Sequence, residues 1–215
     1  TCSQPISGEV LLISGQLAMR GTTPVASTIT QPNGSVITVG PGNWNFTGSL
    51  KGWYDLPMED MTYLTFQGNS ATGFDFAPTF YTGNLTNMFN MFCNCKLFNG
   101  DIANWDTSRV TNMSNVFRDA NAFNSNISGW NTGAAVSLRN MFFNANTFNR
   151  DISSWNVSGV KNFQYVFNRA AAFNQPLDTW SPKSGNVFYG MFDKATAYNQ
   201  PLGSWDMGKA ANMRD

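Results

Sequence analysis

The sequence predicts a repeat solenoid, in which short coils of chain stack on one another, preceded by a small β-rich segment. Three observations predict this fold. One aromatic pattern recurs every 25 residues from residue 97 onward. The first part of each repeat places apolar residues at helical spacing. The second part is too short, and too rich in Asn, Ser and Gly, to form another helix.

The repeat is visible in five segments that share an aromatic residue, an Asn and a final Trp. They are "LFNGDIANW" (97–105), "AFNSNISGW" (122–130), "TFNRDISSW" (147–155), "AFNQPLDTW" (172–180) and "AYNQPLGSW" (197–205). The tryptophans lie 25 residues apart without an insertion. A fixed period of this length is typical of a stacked array, because one repeat cannot bury its large side chains alone.

The first part of each repeat predicts a short helix. Apolar residues follow one another at steps that place them on one helix face, as in Val110, Met113, Val116, Phe117 and Ala120. Thr111 or Asn112 could cap the start of this helix, because a short polar side chain there accepts hydrogen bonds from free amides.

The second part, residues 123–130, predicts a turn and then a brief strand around Ile127. A strand and a helix within 25 residues indicate a leucine-rich-repeat-like coil, whose stacked strands would form a parallel sheet at a spacing of about 4.8 Å. One Asn per repeat predicts a side-chain ladder that pairs with turn backbone; a plain surface role is the alternative. This column is Asn99, Asn124, Asn149, Asn174 and Asn199.

Three regions follow along the chain. Residues 1–55 lack the repeat and predict a β-rich arm or head, with short strands in "EVLLISG" (9–15) and "GSVITVG" (34–40). Residues 56–83 carry aromatic residues out of register and predict a degenerate capping coil. Residues 84–215 hold the five-repeat solenoid with a truncated C-terminal coil, "AANMRD".

The composition argues against several kinds of function. The formal net charge is zero and only 12% of residues are charged, so no basic patch is available for nucleic acid. Histidine is absent, which removes the commonest general base and metal ligand near neutral pH, and we expect no cofactor and no metal. No apolar run is long enough for membrane insertion. The N-terminus does not resemble a signal peptide.

The three cysteines, Cys2, Cys93 and Cys95, form an odd set without zinc-like spacing. Cys93 and Cys95 are too close in sequence for an easy disulfide with each other. We interpret all three as small buried or incidental residues rather than as a redox or metal pair.

Two surfaces are candidates for binding. Between the Ile or Leu column and the Trp column lie small, mostly polar residues, whose flat face suits close docking of a partner chain or of sugars; an ordinary solvated face is the alternative. The candidates are Asn104, Ser128, Ser153, Ser154, Asp178, Thr179 and Ser204. The last repeat would expose an apolar layer and an unpaired edge that invite assembly, formed by Tyr198, Leu202, Trp205 and Met213.

Two variable columns on the predicted helix also mark surface. They are Phe89, Ser114, Arg139, Gln164 and Tyr189, and then Cys93, Arg118, Phe143, Asn168 and Asp193.

The pattern V-T-N-M-x-x-x-F-x-x-A…F-N-x-x-I-x-x-W is complete in "VTNMSNVFRDANAFNSNISGW" (110–130). It resembles the BspA-like surface-protein repeats also found in mycoplasma lipoproteins, over about residues 84–215. The resemblance implies cell-surface display, adhesion or host contact without catalysis, and it supplies no binding residues. Proteins of this family usually carry a secretion or lipid-anchor signal, which is not seen here. The segment "SQPISGEVLLIS" (3–14) is similar to Pro-Ile-Ser openings of tailed-phage virion proteins.

We therefore expect a non-enzymatic structural or recognition protein on an exterior surface, either extracellular or virion. A virion component such as a tail, fibre or capsid decoration is favoured, because an arm could tether a projecting solenoid; a bacterial cell-surface adhesin is the alternative. The expected partners are other protein chains, copies of itself or neighbouring structural proteins, with surface glycans as a second class.

Two other functions are disfavoured. A polysaccharide-cleaving enzyme needs two carboxylates set apart across the bond. Asp101 and Asp151, however, lie in a column that carries Asn or Pro elsewhere, which indicates turn residues. The acidic cluster of Asp55, Glu59 and Asp60 is interpreted as solvated. An intracellular scaffold is disfavoured by the family resemblance.

Overall fold

The computed structural model describes residues 82–83 and 85–213, together with the backbone of six short strands before them. β1 (Glu9–Ile13) and β2 (Gln16–Arg20) are antiparallel, as are β3 (Ser27–Thr30) and β4 (Val36–Val39). β5 (Ser49–Leu50) and β6 (Gly73–Phe74) are parallel. β1 and β4 fall where the sequence predicts strands. The capping coil predicted for 56–83 lies almost entirely outside the described residues.

The short helix predicted in each repeat is replaced by a run of tight turns, and residues 85–213 contain no helix. We name this run the turn ribbon; it spans 88–95, 113–120, 138–145, 163–170 and 188–195. Some of its amides close a turn within the coil, as Cys95 N donates to Phe92 O at 3.0 Å. Alternate amides donate to the next coil, as Phe92 N does to Val116 O at 2.8 Å.

Left-handed backbone at two positions per coil makes a ribbon rather than a helix. In the first two coils these positions are Asn90, Asn94, Asn115 and Asp119, with φ between 58° and 61°. An α-helix needs negative φ at every residue, whereas Asn and Asp tolerate the left-handed region. Tight turns also return a side chain to the same side every three or four residues. The apolar spacing therefore resembles that of a helix.

The parallel pairing between coils lies at the start of the turn ribbon and not at the predicted strand around Ile127, where the structure has no strand. A single bridge joins each coil to the next, through Asn87, Asn112, Ser137, Asn162, Val187 and Asn212. Asn112, one of the two predicted helix caps, instead accepts from Ser114 N through its Oδ1 at 3.0 Å and fixes the first turn.

The core consists of aromatic columns that run through successive coils. Ring centroids in the column from Phe92 to Phe192 lie 5.5–5.7 Å apart, and the tryptophan rings lie 6.2–6.5 Å apart. The indole of Trp155 donates to Ile127 O in the preceding coil at 3.1 Å. The neighbouring coil both covers the apolar rings and accepts the hydrogen bond of the indole N–H. Each coil therefore depends on the next one for its stability.

The shared Asn column forms a ladder on the surface of this stack. Asn124 N donates to Asn99 Oδ1 at 2.8 Å, and Asn174 N donates to Asn149 Oδ1 at 2.9 Å. The predicted pairing between side chain and backbone is therefore present. Asn149 is exposed, however, so the ladder holds coils together at the surface rather than satisfying groups in a dry interior.

Cys93 and Cys95 are both buried, as the sequence predicts, but the disulfide of Cys93 was not predicted. Cys93 is disulfide-bonded, and the other half of the bond lies outside the described residues. Cys95 is a buried free thiol.

Candidate functional site

The predicted small-residue face is assembled from successive coils, and its hydroxyl groups link them. Ser154 Oγ donates to Ser128 O at 3.0 Å, and Thr179 Oγ1 donates to Ser153 O at 2.7 Å. Ser204 Oγ donates to the Asp178 carbonyl. Asn104 is exposed at one end of this row. Because these donors are used between coils, the face acts first as a set of links between repeats.

The carboxylates on this side of the stack are hydrogen-bond acceptors in turns. Asp151 Oδ1 accepts from Ser153 N at 2.9 Å, and Asp101 Oδ1 accepts from Ala103 N at 3.0 Å. The bond from Ser153 N, and then its side chain, holds the pKa of Asp151 below its usual range. Ser204 does the same to the pKa of Asp178. A general acid requires the opposite shift at neutral pH.

The predicted assembly edge is the apolar end of the last described coil. Tyr198, Leu202 and Trp205 are half-buried, and Met213 is 59% exposed. A cavity of about 240 Å³ opens there, lined by Phe188, Met191, Phe192, Leu202, Trp205, Met207 and Met213. Burial raises the pKa of Tyr198 to about 12, with the charge of Asp178 adding to the effect.

The sequence did not reveal a second Asn ladder, which is buried. Asn115 Nδ2 donates to Asn90 Oδ1 at 2.9 Å, and Asn140 Nδ2 donates to Asn115 Oδ1 at 2.8 Å. All three residues have left-handed φ and are at most 9% exposed. The signal in the sequence was an Asn at the same repeat position in three successive coils. Once a helix was assumed, that position had no special role.

An aromatic cluster of Phe143, Tyr165 and Tyr189 lies on the turn ribbon where this buried ladder ends. The Phe143 and Tyr165 rings meet edge to face with centroids 6.3 Å apart, and the Tyr165 and Tyr189 rings do so at 5.0 Å. The guanidinium of Arg118 lies 5.2 Å from the centroid of Phe143. All three aromatic rings are partly exposed. The variable columns had identified Phe143 and Tyr189 as surface, but not Tyr165.

Tyr165 occupies the position that holds Asn in the three preceding coils, and it keeps left-handed φ of 58°. The next coil has Gly190 there, also at φ 58°. A Cβ at Gly190 would lie 2.5 Å from Tyr165 Cε1, so the tyrosine ring would have to move to admit one. The two departures from the repeat are therefore coupled, since the tyrosine ring fills the space that a side chain at 190 would need.

Within the described residues, no group of three His, Cys, Asp or Glu side chains is arranged to hold a metal. Nor does the described part of the chain contain a helix long and apolar enough to cross a membrane.

One family description, "Mycoplasma protein of unknown function, DUF285", matches residues 58–158 and again 133–215. Together the two matches span residues 58–215. They confirm the resemblance to a mycoplasma repeat family. Comparisons with curated proteins and with solved structures give no match.

Proposed function

The chain belongs to the DUF285 family, and from that premise we propose that it is a non-enzymatic recognition or structural protein displayed on an exterior surface. Its fold would be a repeat solenoid, built of stacked turns rather than of strand and helix. The observation that carries the proposal is the division of each coil into buried positions and exposed positions. The repeated Phe and Trp positions are buried against their copies, whereas most of the exposed side chains lie in the segments between the turn ribbons, where residue type changes from repeat to repeat.

Such a division suits display, because surface residues can change without disturbing the aromatic columns. The disulfide at Cys93 also supports an exterior setting, since disulfides persist in oxidising compartments. The described carboxylates that had been considered for catalysis are occupied as turn acceptors. This favours a binding or structural role over polysaccharide cleavage.

Within this proposal we retain the virion component, a tail, fibre or capsid decoration, as the first setting and the bacterial cell-surface adhesin as the second. The similarity of residues 3–14 to phage virion proteins favours the first, and the mycoplasma family favours the second. Other protein chains are the first proposed class of partner, and surface glycans are the second.

Antibodies against the purified protein test the exterior location. They should label intact producing cells or purified virions without permeabilisation, and the labelled particle distinguishes the two settings. Labelling that appears only after permeabilisation would contradict surface display. In parallel, incubation with polysaccharides should release no reducing sugar above that of a heat-denatured sample.

We further propose that another protein chain covers the assembly edge around Leu202, Trp205 and Met213. The apolar cavity there exposes side chains that, in the inner coils, lie against a neighbour, and such an edge favours pairing with a second chain. We expect light scattering of the purified protein to show association that grows with concentration. Hydrogen exchange across 197–207 should become slower in the assembly. A monomer at high concentration with already protected amides in that stretch would contradict the proposal.

A further inference from the structure

We propose that the aromatic cluster of Phe143, Tyr165 and Tyr189 is a binding site for an extended, uncharged polysaccharide strand. This inference rests on the proposed recognition function and names the ligand class and the place where it binds. It moves the candidate site away from the small-residue face, where the hydroxyl groups of Ser154 and Thr179 already donate to the preceding coil.

The first argument is the cost of Tyr165. A bulky residue with left-handed φ is uncommon and strained, and Asn is the residue that tolerates this region. The three preceding coils use Asn there and gain a buried amide ladder from it. Replacing Asn by Tyr gives up that ladder and also requires glycine at 190. Strain kept without a structural gain is typical of functional positions.

The second argument is the shape of the cluster. Its rings are contributed by three successive coils, so they form a row along the stack. The centroids lie 6.3 Å and 5.0 Å apart and successive rings are steeply inclined, at 81° and 67°, so the row offers both ring faces and ring edges to a ligand that extends along the stack. Aromatic rings that are apolar on their faces and carry hydroxyl groups at their tips suit a ligand with apolar C–H faces and polar edges.

The third argument is the balance of polar groups around the rings. Arg118 lies over Phe143 and pairs with Asp119 at 3.3 Å. The neighbouring Tyr189 hydroxyl and then the charge of Asp193 raise the pKa of Tyr165, whereas the charge of Arg139 lowers it. The four charged groups named here are two cations and two anions, and they offer both donors and acceptors. Sugar hydroxyl groups, which donate and accept, match this set.

Calorimetric titration tests the inference with cellohexaose, laminarihexaose and chitohexaose as probes, compared with glucose and N-acetylglucosamine. We expect at least one hexasaccharide to bind and its monosaccharide to bind at least about tenfold more weakly, because a single sugar contacts fewer rings. The decisive variant is Tyr165→Asn combined with Gly190→Asn, which restores the residue of the preceding coils at both positions. It should lose affinity by at least about tenfold while its unfolding temperature stays equal or rises.

Leu97→Asn is the matched control, since Leu97 is a partly exposed apolar side chain, 48% exposed, outside the cluster; it should bind as the wild type does. The inference is overturned if no hexasaccharide binds, or if the double variant binds as tightly as the wild type. If the negatively charged probe oligogalacturonate bound and none of the uncharged hexasaccharides did, the assignment of an uncharged ligand would be wrong. The antibody labelling described above tests the exterior location independently of sugar binding. A failure of polysaccharide binding therefore does not contradict the exterior location, and a failure of surface labelling does not contradict polysaccharide binding.

Discussion

Trp155→Ala should lower the free energy of unfolding by about 3–5 kcal/mol, as expected for deleting a buried large aromatic side chain. Trp155 is 3% exposed and lies between Trp130 and Trp180 at 6.5 and 6.4 Å. The substitution also leaves Ile127 O without the indole donor. Chemical denaturation followed by far-ultraviolet circular dichroism measures the change.

Trp205→Ala is the matched control, because Trp205 occupies the same repeat position but has a stacked tryptophan on one side only and is half-buried. It should cost clearly less than Trp155→Ala. Equal losses at the two positions, or a negligible loss at Trp155, would contradict the burial of this column between neighbouring coils.

Asn115→Ala should destabilise the protein by about 2–4 kcal/mol. Asn115 donates to Asn90 Oδ1 and accepts from Asn140 Nδ2, so its removal takes one hydrogen bond from each of two buried amide groups. Alanine is also strained at the left-handed φ of 59° found there. The free energy of unfolding from denaturant titration reports the combined effect.

Two variants separate these contributions. Asn115→Gly removes the amide but accepts left-handed φ, so it should cost about 1–3 kcal/mol, less than alanine. Asn149→Ala removes a member of the exposed ladder and should cost below about 1 kcal/mol, because water can replace its bond to Asn174 N. If Asn115→Ala were as mild as Asn149→Ala, the buried ladder would contribute no more than the surface one.

The period, the buried columns and the pairing of the shared Asn column could be predicted from the sequence, because each depends on identity at a fixed spacing; the surface position of that ladder could not. Phe117 and Trp130 had to be buried in any stacked arrangement, since one repeat cannot cover them. The local conformation could not be predicted in the same way. Val110, Met113 and Phe117 have the spacing of a helix face, and a ribbon of tight turns produces the same spacing.

The evidence against a helix lay in the polar residues between these apolar ones. Asn115 and Asp119 recur at positions where neighbouring repeats also carry Asn, and both residue types tolerate left-handed φ. The aromatic cluster could not be predicted from the sequence for a related reason. Tyr165 lay outside the variable columns identified in the sequence, and the contact of its ring with that of Phe143 depends on how successive turn ribbons stack.

The central claim is that successive 25-residue coils stack in strict register through the turn ribbon. Thermal unfolding of two deletion variants tests it most directly. Removing residues 117–141 deletes one whole coil and joins Val116 to Phe142, which keeps every column in step. Removing residues 118–141 leaves one extra residue in the ribbon, so side chains that should face the core shift out of their columns.

We predict that the first variant keeps the circular dichroism spectrum of the full chain and unfolds cooperatively at a somewhat lower temperature, because one set of stacked neighbours is lost. The second variant should lose the cooperative transition. Two variants that unfold alike would contradict the stacking of coils in register.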